Sequence, residues 1–430
     1  MATGGRAARI AFWGNFGTAN WGNECTLQAI VQNVRARAPA VELACVCSIP
    51  DDTARRHGVI AWPISERRLA ITRAAGAVPQ RSRIVRLLAR VRDEVRDWVI
   101  TVQRARTVDA IVMSGTGMLT DDGEGALGLP YEMFRWAAAA KLWGRRVAFV
   151  SVGVEPIQQR ATRFFIGAAL RLADFRSYRD QRSKDNLRRI GLGADADPVY
   201  PDLAFSLPPA GAVGSPASPP RVAVGLYEYM GRGTDGPEAE RGYRAYLDRI
   251  GAFVLELLGR GHDVRIVLGD LRYDLAVLED LRRWFNGRDL ASLRGRLFDD
   301  PANSVDDVLR QLAAVDLVVA SRFHNVLLAL LLGKPVVSVS YEPKNDVLMA
   351  AMGLADYCQS LDDFDPARLR QQFSALAADA EGLRPMIGER AAQCRTQLDQ
   401  QYRDLLATIG IAAAVHADTA TAAARAPLVR

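Results

Sequence analysis

The chain has 430 residues, 49% of them apolar and 24% charged, with 55 basic against 49 acidic side chains and a net charge of +6. That length asks for two domains of ordinary size, and the composition is that of a globular protein with a sizeable core. Residues 81–106 hold eight Arg against three acids, so +5 of the +6 sits in one segment; the near-neutral remainder excludes a general nucleic-acid binder.

Arg9–Gly14 reads as a short apolar strand, and residues 14–24 as a Gly- and Asn-rich loop. Leu27, Ile30, Val31 and Val34 then recur at helical spacing, and Val41–Ile49 is a second strand. Such a βαβ unit predicts a parallel sheet with a ligand loop at a strand's carboxyl end. Glycines at 14, 17 and 22 do not match G-x-G-x-x-G, so a nicotinamide site has weak support beside a plain glycine-permitted turn. Residues 81–106 alternate Arg with Leu88, Val91, Val95, Trp98 and Val99 at helical spacing. This is either an ordinary helix with one buried face or a basic helix lying on an anionic membrane surface. Val108–Met113 is a buried strand that runs into a small-residue loop, 114–122. A helix at about Ala126–Leu142 and a strand at Arg146–Val152 continue the alternation, and Tyr178-Arg179-Asp180 marks a strand-to-helix junction before Pro201-Asp202.

Residues 207–220 contain five Pro, two Gly and two Ser, and form the clearest linker. After it the pattern restarts with strand Arg221–Leu226, helix Arg241–Leu258, strand Asp263–Leu268, helix Leu275–Phe285, strand Gly295–Phe298 and helix Asn303–Ala313. The expected organisation is an N-terminal Rossmann-like domain over 1–206, the linker 207–220, a second Rossmann-like domain over 221–378, a C-terminal helix over 386–408 and a disordered Ala-rich tail over 411–430. The fold class is α/β: two doubly wound parallel-sheet domains facing a central cleft, the arrangement called GT-B. Cys25, Cys45, Cys47, Cys358 and Cys394 lack paired spacing, no apolar run reaches a membrane span, and no apolar signal core is present. These point to a cytoplasmic protein.

The second domain is organised around Ala320-Ser321-Arg322-Phe323-His324-Asn325, between an apolar strand and an apolar helix. Ser321 is expected to be the helix N-cap, with Arg322 and His324 in the first turn. Free N–H groups, a guanidinium and an imidazole would then share one space, which suits an anionic ligand needing proton transfer. The plain alternative is a capped core helix whose Arg and His satisfy loop carbonyls.

The order of motifs resembles the polysaccharide pyruvyl transferase family. The resemblance rests on Asn20-Trp21-Gly22-Asn23-Glu24, on the loop Ser114–Asp121, on Arg179-Asp180 followed by Pro201-Asp202, and on Ser321-Arg322-Phe323-His324 with Gly333-Lys334-Pro335 and Tyr341-Glu342-Pro343-Lys344. It spans about residues 8–350. It implies transfer of pyruvate from phosphoenolpyruvate to a sugar as a ketal, with release of phosphate, on glycan or lipid-linked acceptors in surface-polysaccharide pathways.

Ketal formation needs an anion clamp for the donor, an acid for its methylene carbon and a base for the attacking hydroxyl. Arg322 and Arg179 suit the clamp, with Ser321 beside them and Lys344 as a point charge on phosphate. His324 is the natural acid. Glu24 or Asp121 is the candidate base, while Asn15, Asn20, Asn23 and Gly117 are placed to hold the acceptor. Asx turns and caps are the plain reading of the polar loop residues, and Asp202 reads as a turn-ordering residue. No His/Cys/Asp cluster has metal spacing, so no metal and no cofactor are expected, phosphoenolpyruvate being a substrate. The expected setting is cytoplasmic, with possible peripheral contact at the inner face of the membrane through residues 81–106. Rival readings are a nucleotide-sugar glycosyltransferase of the same architecture, with Glu342 as its ribose carboxylate, and a non-catalytic binding protein on the same fold.

Overall fold

The computed structural model describes residues 6–73, 83–121, 125–209, 217–228, 236–286, 288 and 294–412. Its elements fall into two βα series. The first comprises β1 (Arg9–Trp13), α1 (Trp21–Arg37), β2 (Glu42–Cys47), α2 (Pro50–His57), β3 (Ile60–Pro63), α3 (Glu66–Arg73), α4 (Arg83–Arg106), β4 (Ala110–Ser114), α5 (Leu129–Leu142), β5 (Arg146–Val152), α6 (Arg160–Arg171), β6 (Phe175–Tyr178) and α7 (Gln181–Arg189). The second comprises β7 (Val222–Gly225), α8 (Pro237–Gly259), β8 (Val264–Val267), α9 (Leu271–Asn286), β9 (Leu297–Phe298), α10 (Val305–Ala313), β10 (Leu317–Ala320), α11 (Phe323–Leu331), β11 (Val336–Ser340), α12 (Pro343–Ala351), β12 (Cys358–Ser360), α13 (Pro366–Ala378) and α14 (Ala380–Thr408).

Each series winds one six-stranded sheet, ordered β3-β2-β1-β4-β5-β6 and β12-β11-β10-β7-β8-β9. Every strand pair is parallel. Both orders reverse direction once, between β1 and β4 and between β7 and β10, and loops at the carboxyl ends of those strands open on a crevice. The strands are short runs of Val, Ile and Ala because helices cover both faces and leave almost no polar position. Ile10–Trp13, Ala110–Met113 and Val222–Val224 are fully buried.

The last helix returns to the first sheet. Gln401 donates to Ser151 Oγ and Ser177 Oγ, Tyr402 Oη meets Ser206 Oγ, and Tyr200 Oη donates to Asp404. α14 starts at Ala380, six residues before the expected Met386, and carries Pro385 inside its first turns. The expected linker falls partly, and the expected tail almost wholly, outside the described residues; of the linker, Leu207 is fully buried.

α4 corrects the expectation of one buried apolar face. Asp97, Thr101 and Ala105 turn inward, whereas Leu88, Val91, Val95 and Val99 are exposed. The inward acids have partners: Asp97 accepts from Ser65 Oγ and the Glu66 N–H, and Glu94 accepts from Tyr131 Oη and from Arg135, which is itself completely buried. Among the described residues no helix is long and apolar enough to cross a membrane.

Candidate active site

The junction of β10 and α11 differs from expectation by one residue. Arg322, not Ser321, occupies the N-cap, in an extended conformation and without a side-chain cap bond, and the helix begins at Phe323. Ser321 is buried, its carbonyl accepting from Asn345 Nδ2. The Arg322 fork closes on Asp274 of α9, with Nε at 3.1 Å and Nη2 at 2.5 Å, and its plane stacks on Tyr227 at 4.6 Å. Burial works against the charged guanidinium, but the Asp274 carboxylate outweighs it and raises the Arg322 pKa. The guanidinium is therefore engaged with a buried acid, which corrects its assignment as an open anion clamp.

His324, one helical residue on, leaves the second half of the molecule and meets the first. Its ring lies on Gly22 of α1 so closely that a Cβ at that position would stand 2.3 Å from Nδ1. Only a glycine permits this approach. Nε2 faces Oδ2 of Asp202 at 3.6 Å, a distance for charge attraction rather than a hydrogen bond. Neither atom has another hydrogen-bond partner among the described residues. The imidazole is thus held between the two halves.

Asp202 follows Pro201 and caps a single 3-10 turn, Leu203–Ser206, by accepting the Ala204 N–H through Oδ1 at 3.0 Å. Its second oxygen is free to look across, and Arg179 Nη1 approaches that same oxygen at 3.6 Å. Burial pushes the carboxyl up, yet His324, Arg179 and the Ala204 N–H together hold it below the usual carboxylate range. Arg179 leaves β6 beside Asp180, whose own carboxylate caps α7 through the Ser183 N–H at 2.7 Å. The Arg179 guanidinium lies 4.7 Å from the centre of the Phe323 ring, and Lys344 Nζ lies 6.0 Å from the same ring. One cation from each half therefore flanks Phe323. Lys344 also pairs with Glu342 at 2.5 Å. Arg179, Asp202, Phe323 and Lys344 share the wall of a cavity of about 810 Å³, completed by Met386 and Arg390 of α14.

The β1–α1 loop is built otherwise than expected. Glu24 is fully buried, accepting the Gly17 N–H at 2.8 Å and pairing with His57 Nε2 at 3.0 Å, so it orders the loop and is unsuited to the role of base. His57 lies at the end of α2 and is buried. Asn20 caps α1 through the Asn23 N–H and donates to Asp270 of the second half, Asn23 donates to the Asn15 carbonyl, and Asn15 accepts from Ser48. These amides are first of all loop fasteners. The Asn20–Asp270 bond and the Trp21 N–H donated to the Gly269 carbonyl join the halves beside His324. Asp121 accepts the Gln158 and Gln159 N–H groups ahead of α6. Gly117 faces open space, next to Gly153 and, through it, Arg179.

The structure thus brings Arg179, Asp202 and Lys344 to one cavity wall, sets His324 against Asp202 and Gly117 near Arg179, and engages Arg322, Glu24 and Asp121 elsewhere. Sequence reasoning missed Gly22 as the seat of the imidazole and Asp202 as its carboxylate partner. Pro201-Asp202 was the available signal, and its local role as a cap hid its long-range one.

A comparison with curated proteins returns no match. Among solved structures, the chain is similar to a UDP-GlcNAc 2-epimerase from Methanocaldococcus jannaschii (TM-score 0.53, 10% identity, covering 85% of this chain and 91% of that one). It is similar also to the Neisseria meningitidis UDP-GlcNAc 2-epimerase bound to UDP-GlcNAc (0.52, 12%, 91% and 100%) and to Acinetobacter baumannii MurG (0.51, 12%, 94% and 99%). At such identities the likeness establishes the GT-B arrangement of two Rossmann-like sheets and nothing about ligands. The family model described as polysaccharide pyruvyl transferase matches residues 20–343, and with that match over most of its length the chain belongs to the polysaccharide pyruvyl transferase family.

Proposed function

We propose that the protein transfers pyruvate from phosphoenolpyruvate to two hydroxyls of a sugar, forming a ketal and releasing phosphate. The observation that carries this reading is the His324–Asp202 pair, set between the halves beside two cations that flank one ring. Arg179 and Lys344 bind the carboxylate and phosphate of the donor, each charge-assisted bond contributing about 1.5–3 kcal/mol. His324, in its imidazolium form beside the Asp202 carboxylate, gives its proton to the donor's methylene carbon, which becomes a methyl group. The adjacent carbon, now cationic, takes a first sugar hydroxyl, whose proton returns to the imidazole. Phosphate then leaves with the proton held by the imidazolium, and a second hydroxyl closes the ketal as it passes its own proton to the imidazole. Asp202 holds the ring and stabilises its charged form through these proton transfers. The acceptor occupies the side of the cleft near Gly117.

This scheme uses no metal ion, and a chelator is expected to leave the rate unchanged. The test is to incubate the protein with phosphoenolpyruvate and candidate glycans, following phosphate release and the pyruvyl ketal mass shift on the glycan. Phosphate release from nucleotide-free reactions supports the reading. Turnover of nucleotide sugars instead, with release of nucleotide, replaces it with the glycosyltransferase one.

A further inference from the structure

α4 presents to solvent the face that a globular helix normally buries. Leu88, Val91, Val95 and Val99 are 64%, 55%, 58% and 50% exposed and recur at three- and four-residue spacing, a strip about 16 Å long at 1.5 Å per residue. On a helical projection Arg92 and Arg96, both exposed, run along one edge of the strip. Arg106 continues it at the carboxyl end of the helix and stacks on Trp143 at 5.2 Å, next to the exposed Leu142. Trp143 Nε1 donates to the Val102 carbonyl, so the ring is fixed at this end of the strip. The acids of α4 are turned away or paired. Asp97 and Glu94 are bonded on the inner side, and Asp93 pairs with Arg92. Among the described residues the apolar strip, with a row of guanidinium groups beside it, is left facing solvent.

We propose that this face of α4, together with Leu142 and Trp143, rests on an anionic lipid bilayer. The valines and Leu88 enter the boundary between headgroups and acyl chains, while Arg92, Arg96 and Arg106 meet lipid phosphates. Trp143 is the residue type favoured at that depth. Charge decides between occupants. A two-fold dimer over this surface sets the arginine row against its own copy, because a two-fold interface is self-complementary. A surface of negative headgroups supplies the opposite sign. The inference is independent of the proposed chemistry, since no residue of the strip lines the cavity that holds Arg179 and Lys344.

Flotation of the full chain with vesicles of phosphatidylcholine alone, and of phosphatidylcholine mixed with phosphatidylglycerol, tests it at low and high salt. Co-flotation only with the anionic vesicles, weakened by salt, is expected. Arg92→Gln and Arg96→Gln each reduce the partition about fivefold. The double variant Val95→Glu/Val99→Glu abolishes it, while the thermal midpoint and transfer to a water-soluble acceptor stay unchanged. Equal binding to both vesicle types overturns the proposal, as does no binding to either. A concentration-dependent dimer that Val95→Glu dissociates also overturns it, by assigning the face to a second copy of the chain.

Discussion

His324 Nε2 and Asp202 Oδ2 stand 3.6 Å apart, one atom from each half of the molecule, and neither is hydrogen-bonded. Unpartnered buried polar atoms cost about 1–3 kcal/mol each, and here the facing imidazole is the largest influence that lowers the Asp202 carboxyl. On the proposed assignment, His324→Ala lowers kcat by roughly 10²–10⁴, the usual contribution of a positioned acid. Asp202→Asn keeps the shape and loses less. Stability separates this from a merely structural role. The Asp202 carboxyl is held below its ordinary value, so its contribution is present above about pH 3.9 and is lost as pH falls through the lower folded value. Removing the imidazole removes the largest lowering influence, so in His324→Ala the folded value moves back toward the ordinary one and less stability is lost on acidification below about pH 3.9 than in the parent. Thermal melts between about pH 3 and 7, set beside phosphate-release rates, measure both. Parental rates in His324→Ala would sink the assignment.

Two arginines that look alike in sequence are expected to behave differently. Arg322 is locked bidentate on Asp274, which also accepts the Gly269 and Asp270 N–H groups. Arg322→Ala therefore leaves a buried carboxylate uncompensated and costs about 3–5 kcal/mol of stability. Arg179 has only long contacts, at 3.5 Å to Asp180 and 3.6 Å to Asp202. Arg179→Lys keeps the charge and loses the planar fork, so the melt changes little. KM for phosphoenolpyruvate rises about tenfold to a hundredfold. Melting curves and donor titrations on the two variants decide the matter.

The fold was legible because buried parallel strands leave a plain trace: Ile10–Trp13, Ala110–Met113 and Leu317–Ala320 are unbroken apolar runs between helical periods. At the proposed site, Arg179 and His324 stood out in sequence because their residue types suit the proposed chemistry, and the structure sets both against Asp202. Ser321 was misplaced as a cap by one position, because here the N-cap makes no side-chain bond and nothing local marks it. Glu24 reads as a base in any loop-end carboxylate argument; only the packing of α2 on the loop, which delivers His57, shows that its charge is already used. Asp202 does two things with two oxygens, and sequence reports the near one. The valine period of α4 was visible, but a period does not say which side of the helix meets protein.

Arg135 tests the inner face of α4. Completely buried, it donates to the Ile64 carbonyl and Glu94, lies 3.8 Å from Asp97 and touches Glu132. Burial lifts the Glu132 carboxyl to about 7 although Arg135 pulls it down. Arg135→Met leaves the acids without their cation and is expected to cost about 3–5 kcal/mol at neutral pH. The sign of the pH dependence follows from Glu132. A carboxyl raised on folding contributes fully below its unfolded value, and the contribution is lost as pH rises through the folded one. The folded value climbs further without Arg135, so the variant's deficit relative to the parent widens as pH rises through and above about 7, where the parent's loss levels off and the variant's continues. Chemical unfolding at a series of pH values measures the gap; a deficit that narrows as pH rises would contradict this electrostatic account.

Gly22 offers the sharpest separation of chemistry from folding. It lies in the first turn of α1, where alanine is favoured over glycine by roughly 0.5–1 kcal/mol. The added methyl would meet His324 Nδ1 at 2.3 Å and its ring carbons at 2.9 and 3.0 Å. The ring is a side chain and moves more readily than backbone, so the imidazole rather than the helix gives way. Displacement of a reacting group by about 1 Å costs on the order of a hundredfold in rate. Gly22→Ala is therefore expected to melt at or near the parental temperature while kcat falls by about that factor. Gly117→Ala is the control, because its methyl enters open space. It leaves kcat unchanged and, on the proposed acceptor placement, raises only the acceptor's KM. A Gly22→Ala protein with full activity would mean that the imidazole's position between the halves has no part in the chemistry.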